Sequence, residues 1–185
     1  MVSCKEVSTK RLILKNTHAL ETFKNNSSYV TYDIDINQDG ILDKVVSNAQ
    51  NYGNQLLFFK KETNGTYQKV LESINFSEDG GRILEAITPV KTENTILKIA
   101  TFFPNGGTNR AEYFVDYSAS NVSWELSKIV YKVSDWQNNP NKIVNCTFET
   151  RVKMSKLQTS EGLAQLKHLP LPTERERVCD EYSVE

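Results

Sequence analysis

Apolar and polar side chains alternate in short stretches along most of this chain. Between residues 29 and 36 the apolar side chains occupy every second position, at Val30, Tyr32, Ile34 and Ile36. That period is typical of a strand with one buried face. Comparable stretches recur about every ten residues with turn-forming residues between them, so the pattern predicts roughly eight to ten strands. The predicted fold is mainly β: an antiparallel β-sandwich or a strongly bent meander, with one or two short helices.

Three local patterns refine these strands. Asn64-Gly65 predicts a β-hairpin with a type I′ turn. The apolar positions in residues 122–133 change parity, which predicts a β-bulge near Ser127. Cys146 shares its parity with apolar neighbours in the last long strand and is predicted to point inward.

The length of 185 residues indicates one domain, or one domain with appendages. Residues 1–10 are a polar leader, residues 11–155 form the β-rich domain, and residues 156–185 form a C-terminal extension. The extension begins with a short predicted helix at residues 160–167, and a second helical segment is predicted at residues 17–24.

Oxygen-bearing side chains recur in the connection after the first alternating strand. They are Asp35, Asn37, Asp39 and Asp43, with Gly40 among them. Ca²⁺ takes six to eight oxygen ligands, and this spacing matches positions one, three, five and nine of an EF-hand loop. Glycine tolerates the sharp turn that such a loop requires. The sequence therefore predicts that Ca²⁺ is the cofactor.

Other residues complete or qualify this prediction. The carbonyl of Ile41 is expected to supply a backbone ligand, Asp33 a further carboxylate, and Leu42 is expected to point into the core. Val46 stands where an EF-hand has its bidentate Glu, and the flanking residues alternate as strands do. The predicted site is thus a loop between two strands. The alternative is an Asx-rich hairpin turn that holds no metal.

The three cysteines favour an exported protein. Val2-Ser3-Cys4 resembles the end of a bacterial lipoprotein processing site, which implies that Cys4 is lipidated after a signal peptide is removed. Cys146 and Cys179 then remain as a disulfide pair that ties the C-terminal extension down. The alternative is three unrelated thiols in a cytosolic protein.

Charge and composition exclude several classes of function. The formal net charge is −1, which gives no support to a nucleic-acid partner. No run of about 18 consecutive apolar residues is present, so no membrane-spanning segment is predicted.

Signatures of catalysis are sparse. His18 and His168 lie far apart without a triad motif around them, the cysteines lack zinc-site spacing, and no phosphate-binding loop is present. We therefore expect the protein not to be an enzyme. A hydrolase that uses a pair of carboxylates remains a third alternative.

The calcium-loop motif carries a family resemblance. Asp35-x-Asn37-x-Asp39-Gly40-x-x-Asp43 is similar to the loops of FG-GAP and VCBS repeat proteins. Together with the hairpin at residues 60–65, it also resembles a family of periplasmic proteins related to invertebrate-type lysozyme inhibitors, which includes immunity proteins. Residues 123–129 resemble a strand found in such exported inhibitors.

This resemblance implies a function. The chain is expected to be a periplasmic inhibitor or immunity protein, with Cys4 as a lipid anchor. Its partner would be a secreted toxin or lytic enzyme that acts on peptidoglycan or another part of the cell envelope. Glycine and amide content points to one loop as the partner-binding segment. That loop is Asn105, Gly106, Gly107, Thr108, Asn109 and Arg110.

The main functional alternative is a calcium-stabilised adhesion or carbohydrate-binding module. Such a module predicts an exposed platform of aromatic side chains on which sugar rings can stack. The candidate residues are Tyr113, Tyr117, Trp124 and Trp136.

Overall fold

Two antiparallel sheets make up the computed structural model, which describes residues 20–104, 109–135, 139–167 and 178–183. The first sheet has four strands in the order β1-β2-β3-β4, so that each strand pairs with the next one along the chain. Its strands are β1 (Tyr29–Ile34), β2 (Asp43–Asn48), β3 (Gln55–Lys61) and β4 (Tyr67–Ile74).

Residues 75–82 then lead into the second sheet, which has six strands in the order β10-β9-β8-β7-β6-β5. Its strands are β5 (Ile83–Pro89), β6 (Thr95–Phe102), β7 (Asn109–Ser118), β8 (Ser123–Asp135), β9 (Asn139–Lys153) and β10 (Val178–Ser183). A 3₁₀ turn at Met154–Lys156 and helix α1 (Ser160–Lys167) lie between β9 and β10. The prediction of a mainly β, sandwich-like fold is confirmed.

The main core lies between the two sheets. Phe58 on β3 and Trp124 on β8 meet edge to face with their ring centroids 5.6 Å apart. Phe76, just after β4, stacks on Tyr113 of β7 at 3.9 Å. Because both contacts join one sheet to the other, side chains that alternate inward along each strand form one continuous apolar layer.

The four-stranded sheet also buries residues on its other face. Val46, Leu57 and Phe59 form a second cluster with Leu20 from the helical residues 20–24. Leu57 and Phe59 alternate with the inward-facing side chains of β3, so that strand is apolar on both faces. The predicted helical segment is confirmed over residues 20–24, whereas its beginning and a predicted first strand at residues 11–15 lie outside the described part of the chain.

The predicted β-bulge at Ser127 is present. Phe114 pairs with Lys128 and the next residue of β7 with Leu126, so Ser127 is skipped in the register.

The predicted type I′ turn between β3 and β4 is wrong. In this hairpin, the Gly65 N–H donates to the Glu62 carbonyl at 2.8 Å, and Gly65 has a φ of 80°. Only the glycine of this turn has positive φ. This geometry is a type I turn followed by a left-handed glycine, which suits a three-residue loop.

The predicted disulfide is confirmed. Cys146 on β9 and Cys179 on β10 are direct partners in the antiparallel register, and a disulfide joins them. Cys146 is 3 % exposed, as its parity predicts, whereas Cys179 is exposed. The predicted helix at residues 160–167 is also present. Part of the C-terminal extension is therefore an edge strand of the six-stranded sheet.

Candidate functional site

The connection between β1 and β2 is organised by the carboxylate of Asp35. It accepts hydrogen bonds from the backbone N–H groups of Asp39, at 3.1 Å, and Gly40, at 2.8 Å. Gly40 has a φ of 85° and Gln38 a φ of 58°, so the chain reverses through two left-handed positions. The loop therefore curls around the side chain of its first predicted ligand.

The next two predicted ligands contact each other. The Asn37 side-chain amide donates to Asp39 Oδ2 at 2.8 Å, and Asp39 Oδ1 accepts the Ile41 N–H at 2.9 Å. Asp39 is exposed and Asn37 is half-buried. Three predicted oxygen donors from alternate positions thus lie together on the solvent side of the loop.

Asp43 closes the loop from the buried side. Its side chain is fully buried and accepts the N–H of Ile36 at 3.2 Å and the N–H of Lys61 at 2.7 Å. Burial raises the pKa of the Asp43 carboxyl. The two hydrogen bonds oppose this rise, and the negative charges of Asp39 and Asp35 add to it. Asp43 therefore joins the loop to the end of β3 and lies within electrostatic reach of the other two carboxylates.

One further contact joins the loop to the six-stranded sheet. The Trp124 indole N–H donates to the carbonyl of Ile36 at 2.7 Å in a buried position. Ile36 is itself fully buried. Since Ile36 lies between two predicted ligands, the position of the loop is tied to the packing of the two sheets.

Two expectations about the loop need correction or comment. Leu42 is 57 % exposed and does not point into the core. The next residue, Asp43, is buried instead, and its carboxylate accepts hydrogen bonds from two backbone N–H groups. Asp33 makes an ion pair with Lys44, its partner in the β1–β2 register, so its carboxylate is already engaged.

The donor set fits a hard cation. Asp35, Asp39 and Asp43 make no salt bridge with a basic side chain in the described residues. All of the side-chain atoms that could ligate a metal here are oxygens, which suits Ca²⁺ rather than Zn²⁺. The described residues contain no group of three His, Cys, Asp or Glu side chains already arranged as metal ligands. A cation would therefore replace the hydrogen bonds that Asn37 and Asp39 now make.

The predicted partner-binding loop is described only at its end. Residues 105–108 lie outside the described ranges, while Asn109 and Arg110 begin β7. Asn109 Oδ1 accepts a hydrogen bond from Arg82, and Arg110 pairs with Glu85 at 2.7 Å. Cys4, His18, Trp136 and His168 also lie outside the described ranges.

The aromatic platform does not form from its described candidates. Tyr113 is 5 % exposed and Trp124 is 8 % exposed. Tyr117 is partly buried and packs against the main core. These rings are part of the packing between the sheets, because their parity directs them inward.

A feature that the sequence did not predict lies at the other end of the four-stranded sheet. It is a cavity of about 670 Å³. The turn between β2 and β3 contributes Asn51, Gly53 and Asn54, and the β4–β5 connection together with the first residue of β5 contributes residues 77–83. Pro104, after β6, completes the described lining. The turn-forming residues of both connections can be recognised in the sequence. That the two connections lie next to each other depends on how the sheets pack, which the sequence pattern does not show.

Arg82 is the basic side chain of this cavity. One guanidinium nitrogen, Nη2, donates to Asn109 Oδ1 at 2.9 Å, and the guanidinium lies 5.3 Å from the centre of the Tyr131 ring. The other nitrogen, Nη1, is buried without a hydrogen-bond partner. Burial raises the pKa of Tyr131, and the positive charge of Arg82 opposes that rise. Arg82 is thus held in place by two contacts, and one of its terminal nitrogens is buried from solvent without a hydrogen-bond partner.

Comparisons of the chain with protein-family models, with curated proteins and with solved structures find no match. Within the described ranges, no helix has the length and apolar character needed to cross a membrane. The geometry of the two ends of the four-stranded sheet therefore carries the functional argument.

Proposed function

We propose that residues 35–43 bind Ca²⁺, and that the chain is an exported, calcium-stabilised β-sandwich that inhibits a secreted enzyme. The observation that most supports calcium binding is that Asp35, Asp39 and Asp43 lie within one loop without a basic partner among the described side chains. Like charges held this close repel one another, and a bound divalent cation would relieve that repulsion. The expected ligands are the side chains of Asp35, Asn37, Asp39 and Asp43, with the Ile41 carbonyl.

The contacts of the loop support a structural role for the ion. Asp43 holds the N–H of Lys61 on β3, and Trp124 holds the carbonyl of Ile36 from β8. A ligand that binds the folded chain and not the unfolded chain stabilises the fold in proportion to its concentration over its dissociation constant. The loop lacks a helix pair that could open on binding. Calcium is therefore proposed to stabilise the sandwich rather than to switch it.

Two observations support export and inhibition. The disulfide between Cys146 and Cys179 is typical of an oxidising compartment such as the periplasm. The motif in residues 35–43 and the hairpin that follows resemble those of periplasmic lysozyme inhibitors. In this proposal the chain blocks a peptidoglycan-degrading or other envelope-targeting enzyme by occluding its active site, and residues 105–110 make the contact.

An inhibition assay tests this function. The oxidised protein, in about millimolar Ca²⁺, is titrated against lysozyme-type and other secreted peptidoglycan hydrolases, with cell-wall hydrolysis as the readout. We expect stoichiometric inhibition of at least one enzyme class. Alanine substitution of residues 105–108 should abolish it, whereas Thr63→Ala, in the exposed hairpin between β3 and β4, should not.

Two outcomes contradict the proposal. If no hydrolase in the panel is inhibited, the inhibitor function is wrong. If the variant altered at residues 105–108 inhibits as well as the unaltered protein, the partner-binding segment lies elsewhere.

A further inference from the structure

The cavity at the β2–β3 end of the four-stranded sheet has two walls that hydrogen bonds hold together. Its volume of about 670 Å³ lies within the range common for ligand pockets. The Asn75 N–H donates to the Asn54 carbonyl at 2.8 Å, and Ser77 Oγ donates to the Gly53 carbonyl at 3.0 Å. The turn between β2 and β3 is therefore fixed against the β4–β5 connection, so the cavity is pre-formed.

Four exposed planar side chains line this cavity. They are two amides from the β2–β3 turn and two carboxylates from the β4–β5 connection: Asn51, Asn54, Glu78 and Asp79. Among the residues that the structure describes, none of the four side chains makes a hydrogen bond or an ion pair. A carboxylate only accepts hydrogen bonds, whereas an amide both donates and accepts them. The lining therefore offers both kinds of hydrogen-bonding group to a ligand.

An exposed aromatic side chain accompanies these polar groups. Tyr52 lies between Asn51 and Gly53, both of which line the cavity, and it is 59 % exposed. Its backbone N–H donates to the Ala49 carbonyl at 3.1 Å, and φ is positive at both Asn51 and Gly53. The turn thus has a defined backbone conformation that leaves the ring in solvent. A tyrosine ring combines a flat apolar face with a polar hydroxyl group.

The charge that a ligand can reach in this cavity is negative. Glu78 and Asp79 are both exposed. Arg82 also belongs to the lining, but its Nη2 already donates to Asn109 and its Nη1 is buried from solvent. Like charges repel, so we expect the cavity to select against ligands that carry carboxylates.

We propose that this cavity binds a neutral oligosaccharide. A sugar hydroxyl group both donates and accepts hydrogen bonds, so the hydroxyls of one ring can donate to the two carboxylates and pair with the two amides. The Tyr52 ring packs against the apolar face of a sugar ring. This inference goes beyond the proposed function, since it requires neither calcium nor an enzyme partner.

Titrations with matched neutral and acidic sugars test the proposal. The isotope-labelled, oxidised protein in calcium is titrated with chitotriose, cellotriose and maltotriose, and backbone amide shifts are followed by NMR. We expect saturable shifts at Gly53, Ser77, Gly80 and Gly81 with at least one of these neutral trisaccharides. Its uronic-acid counterpart, in which a carboxylate replaces the primary alcohol of each ring, should bind at least about tenfold more weakly.

Variants separate binding from folding. Tyr52→Ala removes the exposed ring, and Asp79→Asn removes a carboxylate while keeping the size of the side chain. Each should weaken binding of the neutral trisaccharide several-fold, while the NMR spectrum stays that of the folded protein because both side chains are exposed. Asp79→Asn should also narrow the difference between the neutral and the acidic sugar. Glu93→Gln, in the exposed β5–β6 hairpin beside residues 35–43, is the matched control and should bind as the unaltered protein does.

Four results would overturn the inference. They are no saturable shift with any of the three neutral sugars, equal binding of the uronic-acid counterpart, unchanged binding in both cavity variants, and an equal loss of binding in the Glu93→Gln control. An inhibition assay that fails while a neutral trisaccharide binds would leave this inference standing and remove only the proposed inhibitor function.

Discussion

The two ends of the four-stranded sheet gather charge in different ways. At one end Asp35, Asp39 and Asp43 come from nine consecutive residues, 35–43, and carry one sign of charge. At the other end Arg82 lies beside Glu78 and Asp79 in a cavity built from three connections. The first arrangement is the one for which we propose a divalent cation, whereas the second mixes charges of both signs. The two ends thus differ in the signs of charge that their connections bring together.

Each end also rests on one buried polar side chain. Asp43 accepts two backbone N–H groups beside the acidic loop. Asn75, directly after β4, donates to Ser47 Oγ at 2.8 Å and accepts the Ser77 N–H at 3.0 Å beside the cavity. Both side chains are fully buried. Substitutions at these two positions can therefore weaken either end separately.

The largest expected effect follows from Asp43→Ala. Two buried N–H groups, of Ile36 and Lys61, lose their acceptor, so the variant should lose about 2–4 kcal/mol of unfolding free energy. Urea unfolding in the presence of a chelator measures the loss, because the loss of a proposed calcium ligand then does not contribute. Asp33→Ala removes only an exposed ion pair and should cost less than about 0.5 kcal/mol. Equal losses in the two variants would show that the buried hydrogen bonds do not hold this end together.

Asn75→Ala should have the next largest effect and act at the cavity end. The loss of its hydrogen bonds to Ser47 and Ser77 should cost about 2 kcal/mol, measured by urea unfolding. The response of the protein to calcium should be unchanged, because the acidic loop lies at the opposite end of the strands. A variant that loses its calcium response along with its stability would show that the two ends are coupled.

Glu72→Gln, in β4, should have the smallest effect. Hydrogen bonds from Lys69 and then from Gln55 lower the pKa of Glu72. A carboxyl with a lowered folded-state pKa stabilises the fold above its unfolded-state pKa of about 4.3, and this stabilisation is lost as pH falls through the folded-state value. The variant should therefore be less stable by under about 0.5 kcal/mol near neutral pH.

Unfolding curves at several pH values test this prediction. The difference between the Glu72→Gln variant and the unaltered protein should shrink as the carboxyl becomes protonated. A difference that is constant down to strongly acidic pH would assign the effect to packing instead of charge.

Local patterns predicted the features that depend on neighbouring residues. The parity change at Ser127 and the inward position of Cys146 follow from two-residue alternation, which one strand carries in its own sequence. The acidic loop was also visible, because its ligands fall within nine residues. Leu42 was misplaced because hydrophobicity alone cannot show that the Asp43 carboxylate satisfies two buried N–H groups.

Features that are built from segments far apart in the chain could not be predicted from local sequence patterns. The strand Val178–Ser183 is short and charged, and it forms by pairing with β9, to which the disulfide joins it. The cavity requires the β2–β3 turn, the β4–β5 connection and Pro104 to meet. Their meeting depends on the crossing from one sheet to the other, which no local period encodes.

Thermal unfolding with calcium and with a chelator tests the central claim most directly. Calcium at about one hundred times its dissociation constant should add about 2.7 kcal/mol, which corresponds to a rise in Tm of roughly 5–10 °C for a chain of this length. Asp39→Ala should abolish the rise, and Asp33→Ala should preserve it. Equal Tm values in calcium and in chelator would contradict the account, and residues 35–43 would then be an Asx-rich turn that holds no metal.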